Sequence, residues 1–256
     1  MTKEDTYFEL AKEIVKDVSF FLLDRHGTTK EMKHKEKKHY CIAEDRESNG
    51  MYEDFFVQHT PEVGLYTEEG KRELHKEYTW VVDPIDGTTN YRVGNPLFVT
   101  QLSLLRKRQP VFSIISAPVL KLQYVTRAKK GSFLNDNPIH GSSLDILEQA
   151  VIGFNKGTDP RDSDWLISVL KRTLPHVRTL RLFGSAGLQL AFVAGGMLDL
   201  FISNGADLYD YLPGVLLVRE AGGEAVSFKG STWQIEDSTL IAGKKALVDK
   251  ILPLVE

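Results

Sequence analysis

The chain has 256 residues, of which 42% are hydrophobic and 26% are charged, so it is long enough to bury a large core as one domain or as two packed halves. Its net charge of −3, from 32 basic and 35 acidic residues, gives no electrostatic basis for nucleic-acid binding. The single cysteine, Cys41, excludes an internal disulfide.

The N-terminal segment predicts no membrane insertion. Residues 1–5 are polar, and no apolar signal-peptide core follows them directly. Acidic and basic residues interrupt the first apolar stretch, which therefore cannot span a bilayer. We expect a cytoplasmic protein without a membrane partner.

The first 60 residues predict two helices separated by a basic run. Apolar residues recur at helical spacing up to a stop at Gly27, and a second helix is expected over residues 45–58, with Met51, Phe55 and Phe56 facing inward. The basic run, residues 33–39, indicates a solvated loop or an exposed edge. The alternative is a mobile flap near a phosphate site, and we expect residues 30–40 to be poorly ordered without metal.

In the rest of the chain, the order of predicted strands and helices changes near residue 140. Apolar runs at 98–105, 111–117 and 123–128 follow one another without helices, which predicts an antiparallel meander. Beyond 140, predicted strands at 150–154, 177–182 and 198–202 alternate with helices at 164–173, 185–194 and 211–221, which favours an α/β half. We therefore expect two subdomains, 1–140 and 141–256, with the site between them.

Residues 83–90, Asp-Pro-Ile-Asp-Gly-Thr-Thr-Asn, form the most informative segment. The apolar run of Trp80, Val81 and Val82 predicts a buried strand that leads into a turn. Two carboxylates three residues apart then precede a glycine and two hydroxyl residues. Oxygen ligands beside free backbone N–H groups suit Mg²⁺ and phosphate. A plain polar turn is the structural alternative.

This segment resembles the signature of the inositol monophosphatase family, Mg²⁺-dependent and lithium-sensitive phosphatases of small molecules. Glu68 and Glu69 stand where the family has a Glu-Glu pair, and residues 209–214 (Tyr-Asp-Tyr-Leu-Pro-Gly) correspond to its Trp-Asp-x-Ala-Ala-Gly motif. The resemblance covers roughly residues 40–225. It implies a layered α-β-α-β-α sandwich, which is compatible with the predicted order of elements, α+β in the first half and α/β in the second.

The resemblance also implies which residues hold metal. Glu68, Asp83 and the Ile85 carbonyl would bind a first Mg²⁺, while Asp83, Asp86 and Asp210 would bind a second. Glu68 would also help to position a third, weaker ion. Li⁺ is expected to inhibit. Taken alone, Asp210 would be interpreted as a helix N-cap, which would place Pro213 in the first turn.

The remaining site residues also come from the resemblance. Gly87 and Thr88 match residues that bind phosphate through backbone N–H groups, and Thr88 matches the hydroxyl that orients the attacking water. Its expected partner is Asp45, which a helix-capping role would also explain. The element Gly184, Ser185 and Ala186 matches one that lines the substrate pocket, although a hydroxyl at a helix start is also a plain N-cap.

One position departs from the inositol-specific pattern. Ser203 lies seven residues before Asp210, where inositol-specific members carry an acidic side chain. A short neutral serine there predicts weaker recognition of inositol and broad substrate acceptance. Lys156 either meets a second phosphate of the substrate or is a solvated loop lysine.

The combined prediction is a Mg²⁺-dependent phosphomonoesterase that acts on a small polyol or sugar phosphate, such as inositol monophosphate or fructose-1,6-bisphosphate. Phosphatases of 3′-phosphoadenosine phosphates or of histidinol phosphate are the alternatives within this class. An alternative from another class is a catalytically silent metal-binding scaffold on the same fold. The resemblance further implies a homodimer.

Overall fold

Two amphipathic helices begin the chain in a computed structural model that describes residues 2–27, 33–36, 39–74, 76–157 and 159–255. Helix α1 (Lys3–Arg25) starts at Thr2, whose backbone N–H and hydroxyl exchange hydrogen bonds with Asp5. Helix α2 spans Ala43–His59. Both predicted helices are confirmed. None of the helices in the described ranges is long and apolar enough to cross a membrane.

The basic run between these helices forms paired strands where it is described. Strands β1 (Lys33–Glu36) and β2 (His39–Cys41) run antiparallel, with Lys33 opposite Cys41. Of the two alternatives, the loop is wrong for these residues because their backbones pair, and the exposed edge stays a prediction. Residues 30–32, 37 and 38 lie outside the described ranges, and the predicted lack of order without metal stays a prediction.

Seven strands form the first sheet, in sequence order from edge to edge. They are β3 (Gly64–Thr67), β4 (Tyr78–Asp86), β5 (Val99–Arg106), β6 (Gln109–Ala117), β7 (Leu122–Arg127), β8 (Ser132–Leu134) and β9 (Asn137–Ile139). Strand β3 pairs with β4 in parallel, and every later pair is antiparallel. The predicted meander over β5, β6 and β7 is confirmed.

The second sheet combines parallel and antiparallel strands in the order β11-β10-β12-β14-β13. After the short helix α3 (Thr88–Arg92), its elements in chain order are β10 (Val151–Lys156), α4 (Pro160–Thr173), β11 (Thr179–Arg181), α5 (Ala186–Ala194), β12 (Leu200–Asn204), α6 (Leu208–Glu220), β13 (Glu224–Val226), β14 (Thr239–Gly243) and α7 (Lys245–Val255). The three predicted strand–helix units are confirmed. Strands β13 and β14 and helix α7 were not predicted.

Alternating strand residues show how the layers stack. Trp80 and Val82 pack with α1 and α2, whereas Val81 joins the cluster that contains α5 and α6. In the second sheet, Phe201 packs in the same α5–α6 cluster, and Ile202 packs with α4 and α7. The fold is therefore a five-layer α-β-α-β-α sandwich, as expected. The strands of the two sheets lie within 64–139 and 151–243, while the division into subdomains at 140 stays a prediction.

The start of α6 differs from the sequence prediction. Asp207, not Asp210, is the N-cap, and its side chain accepts a hydrogen bond from the Leu208 N–H at 2.6 Å. Asp210 is the third residue of the helix, and its carboxylate accepts the Asp207 N–H at 2.7 Å. Pro213 consequently lies inside the helix rather than in its first turn, because the helix begins two residues earlier than residue 210.

Trp80 is expected to be a principal contributor to stability. It is fully buried, it stacks on Phe56 with ring centroids 4.3 Å apart, and its indole N–H donates to Thr60 Oγ1 at 3.0 Å. Trp80→Ala should lower the free energy of unfolding by about 3–5 kcal/mol. Val57→Ala, at a position of α2 that is 56% exposed, is the control and should change it by less than about 0.5 kcal/mol. Urea denaturation of both variants measures the difference, and equal effects would contradict this account of the core.

Candidate active site

Strand β4 carries the first two carboxylates of the site. The strand continues through Asp86, so Asp83 and Asp86 lie within it and not in a following turn. Its pairing with β5 is regular up to Asp83, opposite Gln101, and then shifts before Asp86 pairs with Val99. This irregularity is a β-bulge, a feature that redirects side chains at the end of a strand.

Gly87 ends the strand with a backbone conformation that favours glycine. Its φ of +96° lies in the left-handed region, and it is the N-cap of α3. A Cβ at this position would also lie 3.1 Å from the Leu97 carbonyl and 3.2 Å from Ser185 Cβ. The chain therefore needs a glycine here to bring Thr88 back towards the carboxylates.

Three carboxylates from two elements converge beside this turn. Within the described parts of the chain, oxygen atoms of Asp83, Asp86 and Asp210 all lie within 4.8 Å of one another. Asp83 and Asp86 are buried, and Asp210 is partly buried. Strand β4 and helix α6 thus place together three of the four carboxylates that the sequence singled out.

The N-terminus of α5 holds Asp86. Its Oδ2 accepts hydrogen bonds from the Ser185 hydroxyl and the Gly187 N–H, both at 2.6 Å, and its Oδ1 accepts the Ala186 N–H at 3.1 Å. Ser185 and Ala186 are fully buried. The helix N-terminus thus presents their donors to a carboxylate, and the contact of these two residues with substrate stays a prediction.

Burial and mutual repulsion disfavour the ionised forms of the cluster. Burial, and then the charges of Glu68, Asp86 and Asp210, hold the pKa of Asp83 well above its usual value. Burial raises the pKa of Asp86 to about 6, although the hydrogen bonds from α5 lower it in part. Burial and the charge of Asp86 raise the pKa of Asp210 to about 8. A bound cation would relieve this repulsion.

Thr88 and Asp45 lie within hydrogen-bonding distance, as the sequence led us to expect. Thr88 Oγ1 is 3.3 Å from Asp45 Oδ1 and 3.0 Å from the Ile85 carbonyl, so its single proton can be donated to either acceptor. Asp45 Oδ2 also accepts the Ile42 N–H at 2.8 Å, near the start of α2. Asp45 therefore caps a helix and contacts Thr88 at the same time.

A cavity of about 610 Å³ lies next to the carboxylate cluster and reaches it at Asp210. Glu68, Gly87, Thr88, Gly184 and Asp210 all border it. Glu68 does not belong to the group of three carboxylates whose oxygens lie within 4.8 Å of one another. Further polar and charged residues line this cavity, among them Asn155, Lys156, Glu236 and Asp237.

Ser203 does not border this cavity in the described structure. It is fully buried, and its hydroxyl accepts a hydrogen bond from the Tyr211 hydroxyl at 2.6 Å. Strand periodicity places it on the same face of β12 as Phe201, which packs in the α5–α6 cluster. Direct contact of Ser203 with substrate therefore has no support in this geometry, while the expected weak recognition of inositol and broad substrate acceptance stay predictions.

Sequence reasoning missed Gln101, Gly187 and Asp207. Gln101 donates a hydrogen bond to Asp83 at 3.3 Å, Gly187 donates one to Asp86, and Asp207 accepts one from Arg72 at 2.8 Å. A glutamine within the apolar strand run 98–105 was the available signal for Gln101, since a buried amide needs a partner. No local pattern pointed to the other two.

Comparison with known proteins agrees with this geometry. The family model described as inositol monophosphatase family matches residues 3–256. The chain belongs to the inositol monophosphatase family. Members of this family are Mg²⁺-dependent phosphoric monoester hydrolases, so the chain is a phosphatase of this class.

Three similar proteins match between 85% and 98% of the chain. An inositol monophosphatase of Dictyostelium discoideum is 29% identical over 98% of this chain and 95% of its own length. An inositol-1-monophosphatase of Mesorhizobium japonicum is 33% identical over 85% of this chain and 83% of its own length. The crystal structure of the extragenic suppressor protein suhB from Bartonella henselae is similar with a TM-score of 0.93 and 25% identity, over 98% of both chains.

The carboxylate cluster has the donor set that the Mg²⁺ of this family requires. Its ligands are hard oxygen atoms, and Mg²⁺ binds through a few carboxylates while keeping several waters. Burial and neighbouring carboxylates raise the pKa values of Asp83, Asp86 and Asp210, and a bound cation would favour their ionised forms. The residues present therefore fit the ion.

The titration of this cluster predicts a pH-dependent response to Mg²⁺. Asp86 and Asp210 have raised pKa values of about 6 and about 8 in the folded protein, against 3.8 as the ordinary value. A carboxyl group whose pKa is raised in the folded protein binds its proton more tightly there than in the unfolded chain. The metal-free fold therefore loses stability as the pH rises from the ordinary pKa of the group to its pKa in the folded protein. Mg²⁺ should therefore raise Tm little near about pH 5, where protons compete with it, and most above about pH 8.

Thermal melts with and without Mg²⁺ across this range provide the measurement. Asp199→Asn is the control, because Asp199 accepts hydrogen bonds from Ser142 and Val151 away from the cluster. It should keep the pH-dependent Mg²⁺ effect, whereas Asp210→Asn should reduce it. A Tm increase by Mg²⁺ that does not change with pH in the wild type would contradict the assignment.

Proposed function

We propose that the chain hydrolyses the phosphate monoester of a small polyol or sugar, of the inositol monophosphate or fructose-1,6-bisphosphate type. The observation that carries this proposal is the convergence of Asp83, Asp86 and Asp210 beside the Gly87–Thr88 turn, where Asp210, Gly87 and Thr88 line a cavity of about 610 Å³. A cavity of this volume is suited to a small ligand. The net charge of −3 gives no reason to invoke nucleic acid.

The acidic residues would hold two or three Mg²⁺ ions. Glu68, Asp83 and the Ile85 carbonyl would bind one, and Asp83, Asp86 and Asp210 would bind another. Glu68, at the cavity wall, would help to place a weaker third ion. Bound divalent metal stabilises charge on the phosphoryl oxygens and lowers the pKa of water. The hydrogen bonds from α5 fix the Asp86 carboxylate in the orientation that such binding needs.

Thr88 and Asp45 would handle the proton of the attacking water. When Thr88 Oγ1 donates to Asp45 Oδ1, its lone pairs are free to accept a hydrogen bond from water. The water proton can then pass to the hydroxyl while the hydroxyl proton passes to Asp45. The backbone N–H groups of Gly87 and Thr88 would bind phosphate, and Gly184 would form part of the pocket wall.

Other residues that line the cavity would contact the rest of the substrate. Lys156 is half-buried there, and its ammonium donates to the Gly157 carbonyl at 3.2 Å. A second phosphate, as in a sugar bisphosphate or a phosphonucleotide, would offer it a stronger, charged acceptor. Glu236 and Asp237, which also line the cavity, would accept hydrogen bonds from substrate hydroxyls. Adenosine phosphates and histidinol phosphate therefore stay as alternatives to a polyol.

A catalytically silent scaffold is the alternative from another class. A relative named Nus factor SuhB, from Xylella fastidiosa, is 33% identical over 67% of this chain and 62% of its own length. Against a silent protein stands the Thr88–Asp45 contact, since a scaffold has no need of a hydroxyl and a carboxylate beside the metal cluster. A homodimer, inhibition by Li⁺ and cytoplasmic residence also stay predictions.

Loss of one metal carboxylate should abolish turnover. Even residues that only support a metal ligand cost about 10–100-fold when changed. Asp83→Asn and Asp210→Asn should therefore each lower kcat/KM by at least ~100-fold. Release of inorganic phosphate from a panel of polyol, sugar and nucleotide phosphates, with Mg²⁺ and with a chelator, measures this. Asp199→Asn is again the matched carboxylate control and should keep its activity.

Two outcomes of this panel would contradict the proposal. Equal activity with Mg²⁺ and with chelator would show that the reaction does not need a metal ion. Mg²⁺ binding without turnover of any phosphate ester would favour the silent scaffold.

Removal of the Thr88 hydroxyl should affect the chemical step. Thr88→Ala should lower kcat by about 100-fold or more with little change in KM, because general acid–base contributions are about 10²–10⁴-fold. Thr88→Ser keeps the hydroxyl and should recover most of kcat. The double variant Thr88→Ala/Asp45→Asn should be no slower than Thr88→Ala alone, since the two residues act as one unit. Additive losses in steady-state kinetics would show that they act separately.

A further inference from the structure

Gln101 is a fully buried amide in a mostly apolar layer. It lies on β5, and Val99 and Leu105 on the same face of that strand pack in the α5–α6 cluster. Burial of an amide away from water is unfavourable unless hydrogen bonds replace those it loses. The contacts of this side chain therefore indicate why a polar residue is kept there.

The amide nitrogen of Gln101 contacts three acceptors. Nε2 lies 3.3 Å from Asp83 Oδ2, 3.1 Å from the Tyr209 carbonyl and 3.4 Å from the Asp210 carbonyl. The opposite amide orientation would place an oxygen against these three oxygens, so only the NH₂ group fits. Within the described residues its Oε1 has no hydrogen-bond partner. The side chain is therefore retained as a donor.

Pro213 explains why one of these acceptors needs a donor from outside the helix. Proline has no backbone N–H, so inside α6 it leaves the carbonyl four residues earlier, that of Tyr209, without its intrahelical bond. Gln101 Nε2 donates to this carbonyl. Gly187 provides the space, because a methyl group there would overlap the Gln101 side-chain oxygen.

We propose that Gln101 is a positioning residue that ties the first turn of α6 to Asp83 and replaces the donor that Pro213 lacks. One amide thereby connects the two elements that carry the carboxylate cluster. Groups of this kind, behind the metal ligands, orient them and commonly set metal affinity. The inference rests on the proposed binding of Mg²⁺ by this cluster.

The test measures Mg²⁺ binding by calorimetry on the full-length chain, without reference to turnover. Gln101→Met keeps the shape of the side chain and removes the donor, and it should weaken Mg²⁺ binding by about 10–100-fold. Ser103→Ala is the matched control. Ser103 is buried two residues further along β5 and hydrogen-bonds Ser113 at 2.7 Å. Ser103→Ala should bind Mg²⁺ as the wild type does even where it lowers Tm.

A second background isolates the role of Pro213. Pro213→Ala returns an N–H to the Tyr209 carbonyl, so Gln101→Met should weaken Mg²⁺ binding at least ~3-fold less in that background than in the wild type. If Gln101→Met does not fold in the wild-type background, the positioning role of Gln101 is tested by comparing the Mg²⁺ affinity of Pro213→Ala with that of the double variant. The double variant should still bind Mg²⁺ more weakly than Pro213→Ala does, because it has lost the hydrogen bond from Gln101 to Asp83.

Three results would overturn the inference or its basis. Unchanged Mg²⁺ affinity in Gln101→Met, or in the double variant relative to Pro213→Ala, overturns the positioning role. Equal losses in both backgrounds overturn the compensation for Pro213. A wild-type protein that binds no Mg²⁺ overturns the proposed function itself, and that failure is distinct because it appears before any substitution is made.

Discussion

The repulsion between three closely spaced carboxylates is the constraint on which the rest of this structure depends. Oxygen atoms of Asp83, Asp86 and Asp210 are brought within 4.8 Å of one another, with two of the carboxylates buried and Asp210 partly buried. Each would be more stable apart and solvated, as their raised pKa values show. The protein tolerates this cost because the cluster is the place where a cation can be bound.

Donors from several elements compensate for this repulsion and fix the orientation of each carboxylate. The N-terminus of α5 donates to Asp86, the backbone N–H of Asp207 donates to Asp210, and the Gln101 amide donates to Asp83. Asp207 is itself held by the Tyr66 hydroxyl and by Arg72, both at 2.8 Å. Each of the three carboxylates thus has a supporting hydrogen-bond donor, and the α5 helix dipole contributes at its positive end.

The five layers explain why such a cluster can remain rigid. Strand β4 is covered on one face by α1 and α2 and on the other by α5 and α6, so its backbone has little freedom to move. The same α5–α6 layer also packs against the second sheet. The two sheets that contribute residues to the cavity therefore pack against the same helical layer. Because protein interiors are closely packed, a small shift in that layer would also move the carboxylates.

Local features were largely predictable from the sequence. The apolar run before Asp83, the spacing of Asp83, Asp86 and Thr88, and the amphipathic α1 depend on neighbours a few residues away, so the sequence by itself determined them. Contacts between distant segments were not determined in this way. The register of β12 turns Ser203 towards Tyr211 and away from the cavity, and the docking of α5 gives the Ser185 donor to Asp86. Only the tertiary structure decided these, because a side chain's partner depends on which elements pack against it and not on its place in a motif.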